Sequence, residues 1–235
     1  MSNWRPKRFW TRAVVAPDAG GFVVLLDNRK VMTPAKQPLI LPTQPLAALI
    51  AAEWEAQTGL VDPEMMPVTR MANSALDKVV PQYAEVAGLL AAYGETDLLC
   101  YRATHPPALI ARQEQAWDPV LDWAASALSA PLRSTRGIVH VAQDPAVLSG
   151  LMDQVLALGN FRLAAFHDLV SISGSLVLAF AVARGHLTAE VAWRLSRIDE
   201  DWQISLWGED EDSAAAAALK QRAFHQASQF YSLCG

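Results

Sequence analysis

Near residue 43 the chain changes period, and that change limits the folds open to it. Before it, short β-prone runs alternate with turn residues. Trp10 to Val15 reads as a strand, Asp18-Ala19-Gly20-Gly21 as a turn and Phe22 to Leu26 as a second strand. Asp27-Asn28-Arg29-Lys30 turns again into Val31-Met32-Thr33, and Leu39-Ile40-Leu41 reads as a fourth strand. Pro34, Pro38, Pro42 and Pro45 punctuate the exit. After it, apolar residues recur at helical spacing. The expectation is an α+β fold, with a small amino-terminal β module over residues 1–45 and a larger all-α bundle over 46–235. So short a β module cannot bury a core alone and must pack on the helical part of the chain.

Helix boundaries are marked by caps and breakers. Thr43 caps a helix whose Leu46, Leu49, Ile50 and Trp54 share a face, and Thr58-Gly59 ends it. Pro81 opens another, with Val86, Leu89, Leu90 and Tyr93 in register. Pro107 starts a third, and Asp118-Pro119 reads as a cap and first-turn proline that start a fourth. Asp144-Pro145 repeats that signature. A central buried helix runs from about Phe161 to Arg184-Gly185, Thr188 caps the next, and Ser213 caps the last.

The segment from Trp193 to Trp207 is the most informative about function. Read as one helix, it carries an apolar stripe of Val191, Leu195, Ile198, Trp202 and Leu206. On nearly the opposite side lie Trp193, Glu200 and Trp207, with Gln203 and Ser196 beside them. Asp199 and Asp201 flank the stripe. A helix with tryptophans on both sides needs two neighbours, so the second side is either buried in the bundle or awaits another protein.

Other chemistry finds little support. Hydrophobic residues make up 52% of the 235, against 18% charged, which excludes disorder. The net charge of −5 disfavours nucleic acid. The amino-terminal run Arg5, Lys7, Arg8 and Arg12, with Trp4, Phe9 and Trp10, reads as a strand with exposed cations. The apolar run Leu169 to Ala183 is too short to span a bilayer. His105, His140, His167, His186 and His225 form no pair at zinc-ligand spacing, and Gly20-Gly21 lacks the spacing of a phosphate loop. No metal or cofactor is expected. Cys100 and Cys234 form no disulfide framework and point to a reducing compartment. Ser171, Ser173 and Ser175 sit in an apolar helix without the flanking glycines of a nucleophile elbow. His167 and Asp168 are adjacent in a helix, so contact between them is not expected and His167 reads as a buried, satisfied histidine. Asp199-Glu200-Asp201 and Glu209-Asp210-Glu211-Asp212 lack the spacing of a calcium loop. The competing enzyme reading uses Asp97, His167 or Glu200 as acid or base.

Several segments carry a more specific resemblance. They are Leu26-Asp27-Asn28-Arg29-Lys30 leading to Thr33-Pro34, Glu53-Trp54, Met66-Pro67-Val68-Thr69 and Thr96-Asp97-Leu98-Leu99-Cys100-Tyr101-Arg102. Trp117-Asp118-Pro119 and Glu200-Asp201-Trp202-Gln203 with Trp207-Gly208 complete the series. In order and spacing, from about Arg8 to Glu209, these resemble the ATP synthase assembly factor 2 family, chaperones of the alpha subunit of the catalytic sector. Asn28 stands where the family usually has glycine, a change a left-handed turn tolerates. Asp199-Glu200-Asp201-Trp202 replaces a run of glutamates before Phe or Tyr, which leaves the key carboxylate among Asp199, Glu200 and Asp201; Glu200 is the one expected. The resemblance implies no catalysis, no cofactor and binding to the unassembled alpha subunit. It also implies a partner surface of Glu200, Trp193, Gln203, Trp207 and Asp199. Eukaryotic members work in the mitochondrial matrix; because the resemblance starts almost at Met1, with no presequence, this member is expected in a bacterial cytoplasm.

Overall fold

A computed structural model describes residues 7–235. Trp4 and Arg5 of the amino-terminal basic run lie outside the described residues. The α+β expectation holds: an antiparallel three-stranded sheet comes first and helices dominate the rest. The chain forms two compact units. One takes the chain up to Tyr83 with residues 160–165 and 229–235; the other takes 84–159 and 166–228.

In the first unit, β1 (Ala13–Asp18), β2 (Gly21–Leu26) and β3 (Arg29–Lys30) form a meander, with Ala13 opposite Leu26 and Asp18 opposite Gly21. The expected fourth strand shrinks to a single bridge, in which Leu41 and Phe22 exchange backbone hydrogen bonds of 2.8 and 2.9 Å. Gly21 is required there, since a Cβ would lie 2.2 Å from the Leu41 carbonyl oxygen. Helix α1 (Gln44–Glu55) packs against β1 and β2 with Leu46, Ala47 and Ile50 buried, and Val23, Val24, Leu39 and Leu41 are buried in the same unit. Its cap is Thr43, as expected, accepting from the Leu46 amide at 3.3 Å.

Trp54 is half-buried and meets Trp10 edge-on at 5.3 Å. Its neighbours do the tying. Glu53 accepts from the Val68 and Thr69 amides and the Thr69 hydroxyl at 2.6–2.7 Å, which caps α2 (Pro67–Ser74). Glu55 accepts from the Ala13 amide at 2.6 Å and from Arg8 at 2.8 Å. Arg8 is therefore a structural cation, also donating to the carbonyls of Thr11, Glu55 and Gln57.

Pro81 does not open a helix. From α2 the chain passes through a π-type turn (Ala75–Val79) and a 3-10 turn (Val80–Gln82) into α3 (Tyr83–Ala91). The missing amide of Pro81 falls where the hydrogen-bond pattern switches, so the helical path continues across it.

In the second unit, α4 (Pro107–Ala127) runs unbroken through Asp118-Pro119 instead of restarting there. Pro119 and Gln115, whose carbonyl loses its partner, are both exposed, so water can satisfy the carbonyl. Asp118 commits its carboxylate to Arg102 at 2.8 Å rather than to a cap. The expected Asp144 cap of α5 (Pro145–Leu156) is present at 2.8 Å.

The apolar run after Phe161 is two helices, α6 (Asn160–Ser173) and α7 (Leu176–Ala183), parted by Gly174 at φ +70°. Every residue of α7 from Leu176 to Ala181 is buried. Gly174 ends α6, and the Ser175 side chain caps α7 by accepting from the Leu178 amide at 3.0 Å. Against this junction packs Asp97, which has no solvent exposure. It accepts from the Leu99 amide at 3.0 Å, the Ser175 hydroxyl at 2.7 Å and the Val177 amide at 3.0 Å. Burial pushes its pKa up from the ordinary carboxylate value, and the hydrogen bonds pull it part of the way back.

Two further helices, α8 (Ala189–Ser196, capped by Thr188 as expected) and α9 (Ile198–Trp207), replace the single one expected across Trp193–Trp207. The Leu195 carbonyl is held by the Trp117 indole N–H at 2.9 Å, and Ser196 bonds back to the Trp193 carbonyl at 2.7 Å. The last helix, α10 (Glu211–Leu233), starts two residues before Ser213, because the Asp210 carboxylate accepts from the Ser213 amide at 2.9 Å. A short parallel pair also lies outside the amino-terminal sheet, β4 (Tyr101–Arg102) with β5 (Thr135–Arg136), so strands are not confined to the first 45 residues.

Truncating Asp97 to alanine leaves two buried amides and a buried hydroxyl without their acceptor. The expected loss is about 2–4 kcal/mol in chemical denaturation, several-fold more than for Asp97→Asn, which keeps one carbonyl oxygen.

Candidate partner-docking surface

The break at Arg197 re-aims everything after it. Trp193 belongs to α8, is only 7% exposed and lies 6.3 Å from Phe224, with the Arg197 guanidinium 5.6 Å above its ring. It does not share a face with Glu200 and Trp207, as the one-helix reading expected. Within α9 the periodicity does hold. Glu200 and Trp207 are seven residues apart, within about 20° of one another around the axis, and Gln203 is beside them. All three are exposed, Trp207 at 83%. Leu206, expected in the buried stripe, is exposed as well, next to Trp207.

The three carboxylates at the start of α9 face different ways. Asp199 is half-buried and accepts from the Gln113 amide nitrogen at 2.6 Å. Gln113 is itself buried and accepts from the Ala103 amide at 2.8 Å, so it ties α9 to the end of β4. With Gln203, Asp199 lines an open groove of about 400 Å³ whose other walls include Tyr101, Arg102, Thr104, His105, Leu109 and Ile138. Asp201 lines a separate groove of about 250 Å³ with Trp193, Arg197, Ile204 and the first turns of α10. Glu200 projects between the two and meets Arg197 at 3.4 Å, an exposed i,i+3 pair worth little to stability.

The residues of the enzyme reading are not assembled. Asp97 is sealed from solvent by its capping role, and Glu200 stands on the outer face of α9. His167 is exposed rather than buried, and its Nδ1 lies 3.0 Å from Asp168, against expectation. The ~100° between adjacent helical positions separates Cβ directions only. On an open edge of α6, both side chains are free to swing together. Among the described residues, no group of three or more His, Cys, Asp or Glu side chains is placed to hold a metal ion. No helix of the described residues is long and apolar enough to cross a membrane. Cys100 and Cys234 are free thiols whose pKa values burial pushes up to about 12.

One surface feature has no counterpart in the sequence expectations, the segment after β5. Ile138 is 97% exposed and Val139 70%. The available signal was an apolar Ile138-Val139 pair after Gly137, in a stretch with neither helical nor strand context.

The site is thus an exposed helix face with an aromatic end and an acidic start, beside an open groove, on an α+β scaffold. The family model described as ATP12 chaperone protein matches residues 7–125. The chain belongs to the ATP12 chaperone family. It is 49% identical to Atp12 from Paracoccus denitrificans, whose crystal structure superposes with a TM-score of 0.95 over 97% of this chain and 98% of that one. A mutant of the same Paracoccus protein superposes at 0.96 over the same shares. The mitochondrial protein atp12 of Schizosaccharomyces pombe is 25% identical over 221 residues, 88% of this chain and 75% of the relative.

The Asp168 carboxylate raises the pKa of His167 above its ordinary value of 6.5, its hydrogen bond outweighing partial burial. A folded-state pKa above the unfolded one adds stability that is full below pH 6.5 and is lost as pH rises through the folded value. With His167 exposed and Asp168 half-buried, solvent screens the pair and the effect on stability is small. It is readable by NMR, where the His167 ring titrates above 6.5 in the native chain and moves down in Asp168→Asn.

Proposed function

We propose that this chain is an assembly chaperone of ATP synthase that binds the unassembled alpha subunit of the catalytic sector and shields the surface its neighbours later cover. The reading is supported by membership of a chaperone family and by the motif resemblance. The observation that carries it to a surface is Trp207, almost fully exposed on the same face of α9 as Glu200 and Gln203. An exposed tryptophan gives up hydration on docking and brings about 150–250 Å² of contact. A carboxylate two turns away supplies orientation. Asp199 adjoins this face from the groove, and Trp193 acts from inside by holding the α8–α9 corner.

Such a surface works by mass action. An unassembled ring subunit exposes apolar area that invites aggregation, and a protein covering that area keeps the subunit folded until the true neighbour displaces it. The step needs neither nucleotide nor cofactor.

Refolding alpha subunit is expected to scatter less light when this protein is present without ATP; equal scattering in both samples counts against the reading. Glu200→Lys and Trp207→Ala should each weaken binding of the free subunit by about 2 kcal/mol or more in calorimetry. Both positions are exposed, so melting should change by under about 0.5 kcal/mol. Full binding by both variants removes this face from the contact.

A further inference from the structure

The segment from Arg133 to Gln143 is held by polar contacts in a way that presents apolar side chains to solvent. Its neck is closed reciprocally: the Gln143 side-chain oxygen accepts from the Arg133 amide at 2.8 Å, and its nitrogen donates to the Arg133 carbonyl at 2.9 Å. Gln143 is buried. Gly137, at φ +80°, turns the chain and donates its amide to the Arg102 carbonyl at 2.8 Å. His140 is bound through both ring nitrogens, with Nδ1 3.0 Å from the Tyr101 hydroxyl and Nε2 3.0 Å from Glu95. A neutral ring that donates from Nε2 and accepts at Nδ1 satisfies both contacts. Ordered loops with closed ends are frequently functional. Here the ordering serves a tip of two β-branched residues, Ile138 and Val139, which stand in solvent and have little side-chain freedom to lose on docking.

This tip is continuous with the face of α9. Ile138, Asp199 and Gln203 line the same groove. The single arginine lining that groove, Arg102, is buried and committed to Asp118 at 2.8 Å, so the groove presents a carboxylate to whatever enters. A stable protein contact covers about 800 Å² per partner, several times what one tryptophan supplies, so the α9 face needs a second anchor beside it.

We propose that the Ile138–Val139 tip is that second anchor: it enters an apolar recess of the client subunit while a lysine or arginine flanking that recess reaches Asp199 in the groove. This rests on the reading of the chain as a chaperone of the alpha subunit. The tip contributes apolar contact, and the groove selects a basic residue at a fixed distance from it. A client carrying only one of the two features is held weakly.

Three variants test it against isolated alpha subunit by calorimetry: Ile138→Ser/Val139→Ser, Asp199→Asn and Trp207→Ala. The tip variant should raise Kd at least tenfold with melting unchanged, because both side chains already face solvent. Asp199→Asn should weaken binding and flatten its dependence on salt concentration. If the tip variant binds as the native chain does while Trp207→Ala is weakened, the tip is overturned and the chaperone reading stands. If the native chain itself does not bind alpha subunit, the chaperone reading falls and takes this inference with it. Sedimentation of the protein alone decides the remaining occupant: a dimer of the native chain that the tip substitutions dissociate would give the tip to a second copy and overturn the client assignment.

Discussion

The placement of the α9 face depends on one buried carboxylate. Asp97 closes the short turn that begins at Leu98 and, through Ser175 and the Val177 amide, the start of α7. That fixes where the chain enters β4. At Arg102 the guanidinium lies 5.2 Å over the Trp117 ring, and its Nε donates to the Leu99 carbonyl at 2.8 Å. Trp117 in turn holds the Leu195 carbonyl and so ends α8. Each link is a directional bond made by a buried or half-buried polar group, so an error at one is passed to the next rather than absorbed.

Such a chain has a cost and a return. A carboxyl group without solvent contact is destabilising unless its oxygens are hydrogen-bonded, and three donors reach those of Asp97. The return is specificity of position. A corner packed only by apolar side chains tolerates small slips, whereas a carbonyl caught by an indole N–H does not. For a protein whose proposed task is recognition by a surface, the relative placement of α9, the groove and the loop after β5 matters more than a small gain in stability.

The α9 face and its groove are also divided electrically. Three successive carboxylates would repel one another if they shared a direction. Helical rotation sends Asp199 toward α4, Asp201 toward α10 and Glu200 outward; Gln113 donates a hydrogen bond to Asp199, and Arg197 partly offsets the charge of Glu200. All three also lie in the first turn of α9, where its dipole favours negative charge. The acidic run is thereby compatible with a stable helix and still leaves a carboxylate for a partner.

What the sequence by itself determined was local. Thr43, Asp144 and Thr188 bond amides two or three residues ahead, so their caps were legible before any tertiary structure. The grouping of Glu200, Gln203 and Trp207 was equally legible, because it depends only on the pitch of one uninterrupted helix. Tertiary structure decided where helices break or fail to break. Asp118-Pro119 resembles a start, yet Asp118 is drawn to Arg102 on β4 and α4 continues. The run from Leu169 to Ala183 is apolar but for three serines and Gly174, and it parts at Gly174, where Ser175 caps α7 and donates to the distant Asp97. Trp193 left the face assigned to it because Trp117, far away in the chain, takes the Leu195 carbonyl. Short-range hydrogen bonds are set by residue type and spacing; a bond between residues far apart in the chain exists only once the fold has brought them together.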